Sequence, residues 1–255
     1  MPEIYDRALG PALFAPYAEH VAGLAKALAP RRVLELAAGT GIATAALVRE
    51  LPDADLVATD LNEAMVSWAA DHVRGPTWRQ ADAQQLDLPD GSFDLVVCQF
   101  GAMFLPDKPA AFAEAARVLV PGGTLLLTVW DLIDGSPFPT AMVASLAAVF
   151  PEDPPSFLVR VPHGYADPDR IGADLLAGGL EQVSIERVVL QGHAESARAV
   201  SDGYALGSPL RFALQERGEP AGLAAALGDE MEARLGPGPL AGDLMAFVIT
   251  ARRPS

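Results

Sequence analysis

The sequence predicts an α/β fold in which a mostly parallel sheet carries helices on both faces. Two observations lead to this prediction. Short apolar runs alternate with longer segments that repeat apolar residues at helical spacing. Several of the short runs are continuous rather than alternating, which is typical of strands buried on both faces. With 255 residues, 51% of them hydrophobic, the chain is long enough for one large α/β domain.

The first βαβ unit begins the predicted sheet. Residues 33–36 and 56–59 are apolar runs that predict strands. Residues 40–51 repeat apolar residues at helical spacing, and Pro52 ends this helix. Because strand, helix and strand follow one another at this spacing, the two strands are expected to be parallel.

The next three strands continue the alternation. A helix over residues 62–73, capped by Asn62, leads to a short strand at residues 77–80. Residues 93–99 predict a buried strand behind the Asp90-Gly91 turn signal. A helix over residues 108–119 ends at Pro121-Gly122-Gly123, and the fifth strand follows at residues 124–130.

The second half of the chain is less regular. A helix is predicted over residues 137–150, and Asp167-Pro168 is expected to cap another that ends at Gly178-Gly179. Two further strand predictions fall at residues 183–190 and 244–251. Between them, residues 194–235 indicate helical pieces that are broken by Gly207-Ser208-Pro209 and by Gly218.

The charge and the cysteine content exclude several classes of partner. A net charge of −15 disfavours nucleic acids and anionic lipid surfaces, which such an acidic protein repels. Cys98 is the single cysteine, so no intramolecular disulfide and no cysteine-based zinc cluster is expected. The first ten residues lack a secretory pattern, and no run of about 18 apolar residues offers a membrane span. We therefore expect a cytoplasmic protein.

The motif VLELAAGTG at residues 33–41 predicts a nucleotide-type ligand. Gly39 and Gly41 allow a tight turn between strand and helix and let a ligand approach the backbone. Asp60, at the end of the second strand, provides the acid that commonly binds ribose hydroxyls in this arrangement. These features suit a dinucleotide-dependent oxidoreductase as well as other nucleoside-binding enzymes.

Three further residues distinguish the alternatives. Thr44 replaces the third glycine of the dinucleotide fingerprint, which disfavours a pyrophosphate. Glu35, inside the first strand, would repel a diphosphate but suits a cationic amino-acid ligand. Asp82, just past the third strand, is placed to bind the exocyclic amine of an adenine.

The ordered motifs of residues 30–130 resemble class I S-adenosylmethionine-dependent methyltransferases, especially the small-molecule branch related to quinone-biosynthesis methyltransferases. The motifs are VLELAAGTG, VATDLNEAMV, QADAQQLDLPDGSFDLVVCQFGAMFL and ARVLVPGGTLLLTVW. The resemblance implies a Rossmann-like, seven-stranded sheet with an antiparallel last strand and a small helical lid. It also implies a single domain over residues 1–255, with an N-terminal lid (1–30), a cofactor-binding half (31–131) and an acceptor-side half with a lid insertion (132–255).

The resemblance assigns the cofactor S-adenosyl-L-methionine to the first half of the chain. Ala37, Gly39 and Gly41 would border its methionine part, and Asp60 would bind both ribose hydroxyls. Leu61 and Met65 would enclose the adenine, and Asp82 and Ala83 would contact its amino edge. The expected cofactor-binding set is Glu35, Ala37, Gly39, Gly41, Asp60, Leu61, Met65, Asp82, Ala83, Gln99 and Phe100, of which the last two would lie beside the sulfonium.

The methyl acceptor is expected to be a small, fairly hydrophobic molecule, such as a secondary metabolite. Methyl transfer from a sulfonium needs alignment and desolvation more than acid-base groups. If a base is used, His163 is the candidate, because it lies between the fifth and sixth strands, where this family places its acceptor lid. The expected pocket residues are Tyr5, Phe14, Tyr17, Met103, Trp130, Tyr165 and Tyr204.

Two other functions remain alternatives at this point. One is a Rossmann-type nucleotide-dependent oxidoreductase, and the other is a cofactor-binding fold without methyl transfer, either a cyclase or a binding module. No carboxylate set predicts a Mg²⁺ site, so no metal is expected. A homodimer is compatible with the sequence, which gives no information on the oligomeric state or on the accepting atom.

Overall fold

Seven strands form one sheet in the order β3-β2-β1-β4-β5-β7-β6. The structure is a computed structural model that describes residues 2–255, except for the side chain of Gln182. The strands are β1 (Arg32–Glu35), β2 (Asp55–Asp60), β3 (Thr77–Gln80), β4 (Phe93–Gln99), β5 (Leu119–Trp130), β6 (Glu181–Ala194) and β7 (Leu240–Arg252).

Helices connect and flank these strands. The α-helices are α1 (Pro2–Ile4), α2 (Ala15–Leu28), α3 (Ile42–Glu50), α4 (Glu63–His72), α5 (Lys108–Val118), α6 (Pro137–Val149), α7 (Phe157–Arg160), α8 (Pro168–Ala177), α9 (Ala197–Asp202), α10 (Leu210–Gln215) and α11 (Pro220–Leu235). Two π-helices, π1 (Tyr5–Phe14) and π2 (Gly203–Gly207), were not predicted. Within residues 2–255, none of the helices combines the length and apolar character that a membrane span requires.

The sheet pairing matches the predicted fold class. β1 pairs in parallel with β2 and β4, and the parallel order continues through β3 and β5. β7 pairs with β5 in antiparallel register, with Trp130 opposite Ala246. Because β1, β2 and β4 are parallel, their carboxyl ends meet at one edge of the sheet, where parallel α/β sheets bind ligands. The predicted mostly parallel, seven-stranded sheet is therefore confirmed.

Local sequence signals set several helix ends. The side chain of Asn62 accepts a hydrogen bond from the Ala64 N–H, and Asp167 caps α8 through the Asp169 N–H, as predicted. Helix α3 ends at Glu50, just before Pro52. The two caps fix where the loops in front of α4 and α8 end.

The start of β5 corrects the prediction that this strand begins at residue 124. The strand begins at Leu119, and its pairing with β4 shifts register between Phe93 and Leu95. Pro121-Gly122-Gly123, read from the sequence as a turn, is accommodated as an irregularity within the strand. A positive φ of 76° at Gly122 makes this possible, because glycine pays no steric penalty there.

The last two strands are longer than residues 183–190 and 244–251, which were predicted from their apolar runs. The parts of β6 and β7 outside these ranges contain glycines, which are typical of loops. A β-carbon at Gly192 would collide with the Ala12 carbonyl oxygen, and one at Gly242 would lie 2.7 Å from Cγ of Pro137. The glycines therefore allow close packing within extended backbone rather than ending the strands.

Both faces of the central strands β1, β4 and β5 are buried. Successive strand residues point to opposite faces, and in β1, β4 and β5 consecutive residues are all nearly inaccessible to solvent. Residues of α2 and α3 cover one face together with apolar strand side chains, namely Ala18, Val21, Ala22, Ala25, Ala43, Ala46, Leu47, Val33, Leu56, Ala58, Leu95, Val97 and Leu126. This double coverage explains why the strands read as continuous apolar runs.

The chain divides into two compact units whose segments alternate along the sequence. The first unit contains the described residues up to Pro16, Leu132–Gly164 and Val189–Met245. The second unit contains Tyr17–Asp131, Tyr165–Val188 and Ala246–Ser255. The second unit includes all of the expected cofactor-binding residues. The predicted division into a cofactor half and an acceptor half stays a prediction.

Close helix packing marks the first unit. Helix α11 packs against α6 and α9, and π1 packs against π2. A β-carbon at Gly203 would lie 2.6 Å from Cδ2 of Leu9, and one at Gly207 would lie 2.9 Å from the backbone nitrogen of Tyr5. The two glycines of π2 thus let the N-terminal π-helix approach at backbone distance.

Candidate functional site

The turn after β1 has an unusual backbone. Ala37, Gly39 and Gly41 adopt positive φ angles of 54°, 58° and 87°. The Ala38 N–H donates to the Thr59 carbonyl at 2.9 Å, which fixes the turn against the end of β2. A β-carbon at Gly39 would meet no heavy atom within 4 Å, whereas one at Gly41 would lie 3.1 Å from the Trp78 ring. Gly39 therefore provides a surface that a ligand can approach, and Gly41 serves packing.

Asp60 ties the ends of β1 and β2 together. Its Oδ2 accepts the Gly39 N–H and its Oδ1 accepts the Asn62 N–H, both at 2.8 Å. Burial raises the pKa of the Asp60 carboxyl, while the N–H groups of Asn62 and Gly39 oppose this shift. The predicted ribose-binding acid therefore lies directly beside the glycine turn, and each oxygen retains a lone pair for a further donor.

Glu35 is the most deeply buried carboxyl of this region. Glu35 is 1% exposed, and its Oε2 has no hydrogen-bond partner among the described residues. Burial raises the pKa of Glu35 to about 8, the Thr44 hydroxyl lowers it, and the charge of Asp60 raises it further. A buried polar atom without a partner indicates a place for a ligand group or a bound water. A cationic group would satisfy this carboxyl.

Gly101 is a residue of the site that the sequence analysis did not single out. A β-carbon there would collide with Cβ of Ala37 and lie 2.9 Å from Sγ of Cys98. The segment after β4 therefore reaches the glycine turn at backbone distance. In the sequence, this glycine is recognisable because it comes two residues after the end of the apolar strand β4, within the motif at residues 80–105.

Replacing Gly101 by alanine is expected to destabilise the fold by about 1–3 kcal/mol, the usual cost of overpacking. The displaced turn should also bind S-adenosylhomocysteine more weakly. Urea unfolding and calorimetry would measure both effects. Gly23→Ala is the matched control, because a β-carbon there meets nothing within 4 Å and the residue lies inside α2. A Gly101→Ala protein as stable as the native one would contradict this account.

Three aromatic residues expected near the sulfonium and the acceptor form one cluster. The Phe100 and Trp130 rings stack with centroids 3.7 Å apart and planes 8° apart. The Tyr17 ring packs edge-on against both, and its hydroxyl donates to the Val188 carbonyl at 2.8 Å. Phe100 has a positive φ of 54°, a strained conformation for a bulky residue. Its N–H donates to the Thr128 carbonyl at 3.0 Å.

The expected adenine-binding residues lie on the loops that follow β2 and β3. Leu61 is 65% exposed although it is apolar, and Met65, in the first turn of α4, is half-buried. The Ala81 N–H donates to the Asp60 carbonyl at 3.0 Å, so the two loops are joined. Ala83 is buried, and Oδ1 of Asp82 accepts two hydrogen bonds from Gln84. The structure thus brings these residues to the same edge as Asp60.

The remaining candidates of the second unit have different surroundings. Gln99 ends β4 opposite Thr128, and Met103 is buried in the 3₁₀ turn Ala102–Phe104. The Tyr165 hydroxyl donates to Oδ2 of Asp174 at 2.8 Å, and Lys108 Nζ lies 4.7 Å from the Tyr165 ring centroid. These contacts give Tyr165 a packing role between α5 and α8, and its place in a substrate pocket stays a prediction.

Four candidates belong to the first unit. The Tyr5 and Phe14 rings stack with centroids 5.1 Å apart, on the same π-helix. Burial and the neighbouring Tyr5 raise the pKa of Tyr204, so these two tyrosines lie near each other. His163 is buried, and its N–H donates to the Leu158 carbonyl at 3.1 Å. Three of the predicted pocket residues are therefore grouped in this unit, while the role of His163 as a base stays a prediction.

Among residues 2–255, no group of three or more histidine, cysteine, aspartate or glutamate side chains has a metal-binding arrangement.

Residues 34–127 match the sequence family described as a methyltransferase domain. The demethylmenaquinone methyltransferase of Deinococcus radiodurans is 38% identical over 112 residues, which cover 42% of this chain and 46% of that protein. The malonyl-[acyl-carrier protein] O-methyltransferase of Hahella chejuensis is 36% identical over 110 residues, covering 42% of this chain and 39% of that protein. The match therefore spans less than half the length of either relative.

Solved structures show the same fold at low sequence identity. The [4+2]-cyclase SpnF superposes with a TM-score of 0.61 and 20% identity, covering 92% of this chain and 81% of that chain. Residues 34–127 thus match a methyltransferase domain, and the fold agrees with this match, which confirms the resemblance identified from the sequence. Over 103 to 112 residues the chain is similar to quinone-biosynthesis methyltransferases.

Proposed function

We propose that the protein transfers a methyl group from S-adenosylmethionine to a small, fairly hydrophobic acceptor. One observation carries this proposal. A buried carboxyl, Glu35, whose Oε2 has no hydrogen-bond partner among the described residues, lies beside a glycine turn whose Gly39 N–H donates to a second carboxyl, Asp60. The charge of Asp60 would repel a diphosphate, whereas an adenosine that carries a cationic amino-acid group would favour the ionised form of Glu35.

The residues present fit each part of this cofactor. Gly39 leaves room for the methionine part, between Ala37 and Gly41. Asp60 would accept hydrogen bonds from the ribose hydroxyls. Exposed apolar surface on Leu61 and Met65 would be covered by the adenine, and Asp82 and Ala83 would contact its amino edge. Gln99 ends β4 and Phe100 follows it, where the sulfonium would lie.

The chemistry places modest demands on the protein. When bound, the sulfonium would supply its methyl group to a nucleophile that attacks the methyl carbon in line, and the electrons of the broken carbon–sulfur bond would stay on sulfur. The buried stack of Phe100 and Trp130 would exclude water from this reaction and hold the approach direction. Glu35 would balance the charge of the amino-acid end of the cofactor.

The acceptor is expected to contact aromatic and apolar side chains. Tyr5, Phe14 and Tyr204 form such a group in the first unit, and Tyr17, Met103 and Trp130 lie near the end of β4 or β5 in the second. The relatives are named for a demethylated menaquinone and for a malonyl thioester. Quinols and carboxylic acids are therefore the first acceptor classes to test.

Two measurements test the proposal. Calorimetry should detect S-adenosylhomocysteine binding and no binding of NADH, and the reverse would reject the methyltransferase in favour of an oxidoreductase. Mass spectrometry should then find an acceptor that gains one methylene unit while S-adenosylhomocysteine forms. Cofactor binding with a product of unchanged mass would indicate a cyclase instead.

Replacing His163 by alanine is expected to lower turnover by about 100-fold if this residue removes a proton from the acceptor. The affinity for S-adenosylhomocysteine should not change. Steady-state kinetics and calorimetry would separate the two effects. His72, exposed at the end of α4, provides the control, and His72→Ala should behave like the native protein. Equal turnover of His163→Ala and the native protein would reduce His163 to a structural residue.

A homodimer and a cytoplasmic location, together with the exclusion of nucleic acids, remain proposals from the sequence. Light scattering on the purified chain would test the homodimer directly.

A further inference from the structure

Gln84 connects the expected adenine-binding acid to a helix that the proposed function does not use. Its backbone N–H and its Nε2 both donate to Oδ1 of Asp82, at 2.9 and 3.2 Å. Its Oε1 accepts the Asp107 N–H at 2.9 Å. Asp107 in turn caps α5 by accepting the Ala110 N–H. One amide side chain thus joins Asp82 to the beginning of α5.

These bonds orient the Asp82 carboxylate. Within the described residues, the side-chain hydrogen bonds of Asp82 all end on Oδ1. Oδ2 can therefore accept a hydrogen bond from another molecule. A carboxylate held at one oxygen by two donors has little freedom to rotate, so the direction in which Oδ2 accepts is fixed by Gln84.

We propose that Gln84 is a positioning residue that sets the nucleobase preference of the cofactor site through Asp82. This inference rests on the proposed function, in which Asp82 receives the exocyclic amine of adenine. With Oδ2 held in place, an amine on the base gains a charge-assisted hydrogen bond. In a base that has a carbonyl oxygen at the same position, this oxygen and Oδ2 of Asp82 are both acceptors. They cannot form a hydrogen bond with each other.

The rest of the loop is anchored without Gln84. Arg117 donates to the carbonyl oxygens of Leu86 and Leu88, at 2.9 and 2.8 Å. Oε2 of Glu114 accepts the Leu86 N–H at 2.6 Å. Because these bonds hold the loop on α5, the amide of Gln84 can be removed while the loop stays in place. Its effect on Asp82 can then be measured separately from folding.

The test compares two ligands on the full-length protein. S-adenosylhomocysteine carries the base amine, and S-inosylhomocysteine carries a carbonyl oxygen there. Calorimetry gives the ratio of their dissociation constants. Gln84→Ala is expected to reduce this preference for adenine by about 3- to 10-fold, the effect of a single hydrogen bond. Gln84→Glu keeps an acceptor for Asp107 but loses the donor to Asp82, and the preference should fall similarly.

Two comparisons identify the mechanism. Gln85→Ala, in an exposed neighbour, should leave the preference unchanged. In an Asp82→Ala background, Gln84→Ala should have no further effect on the preference, because Gln84 acts through Asp82. An unchanged preference in Gln84→Ala, or equal weakening of both ligands, would overturn the inference. Failure of the native protein to bind either ligand would instead reject the proposed function.

Discussion

Replacing Asp60 by alanine is expected to weaken the binding of S-adenosylhomocysteine by about 1.5–3 kcal/mol, the usual contribution of hydrogen bonds to a charged group. This corresponds to about 10- to 150-fold in the dissociation constant. The variant loses the expected acceptor of the ribose hydroxyls. It also loses the two bonds that Asp60 receives from Gly39 and Asn62, so the turn itself should loosen.

Calorimetry on the folded variant measures this loss. Asp60→Asn separates the two contributions, since an asparagine keeps one oxygen for a backbone donor while it removes the negative charge. Asp55→Ala is the control, because Asp55 is exposed at the opposite end of the same strand. An unaltered affinity in a folded Asp60→Ala protein would show that the ribose is bound elsewhere.

The affinity for S-adenosylhomocysteine is expected to rise as the pH increases from 6 to 8. The pKa of Glu35 is about 8 because of its burial, so the carboxyl is largely protonated at pH 6. The ammonium group of the ligand would favour the ionised form. Binding should therefore release a proton, and the affinity should increase by up to about tenfold per pH unit below the pKa.

The stability of the folded protein depends on pH in the opposite direction to the ligand affinity. In the unfolded chain this glutamate ionises near 4.5, whereas the folded protein retains the proton until about pH 8. The folded state therefore binds more protons over this range, and the Glu35 contribution to stability decreases as the pH rises from 4.5 to 8. Glu35 interacts electrostatically with Asp60 and with the Cys98 thiol, whose pKa burial raises to about 12. The thiol therefore stays protonated over the same range.

Glu35→Gln tests both statements in one protein. Its affinity for S-adenosylhomocysteine should depend little on pH, and its melting temperature should fall less between pH 6 and pH 8 than that of the native protein. 5′-Methylthioadenosine lacks the amino-acid group, so its binding should not depend on Glu35. A native affinity that does not vary with pH would exclude proton release from this carboxyl.

Much of the fold could be predicted from local sequence. Buried parallel strands such as β4 have continuous apolar residues, and caps such as Asn62 and Asp167 use side chains with a strong preference for that position. The strand ends were missed where glycines inside β5, β6 and β7 allow irregular or very close packing. The π-helices could not be predicted, because their extra residue per turn depends on contacts between distant segments.

The cofactor region followed from the order of its motifs more than from any single residue. The glycine turn and Asp60 lie together because β1 and β2 are parallel neighbours, which the βαβ pattern already implies. Gly101 and Gln84 were not predicted. Their importance lies in a close backbone approach and in a hydrogen bond to a residue 23 positions away, and neither leaves a local pattern.

The alternation of the two units along the chain limits how one unit can be exchanged between relatives. The first unit consists of three stretches that are separated by parts of the second. A chimera with a single crossover inside the chain would therefore divide the packed core of a unit between two parents. Domain-shuffling libraries built on this protein should therefore transplant the three stretches as one set.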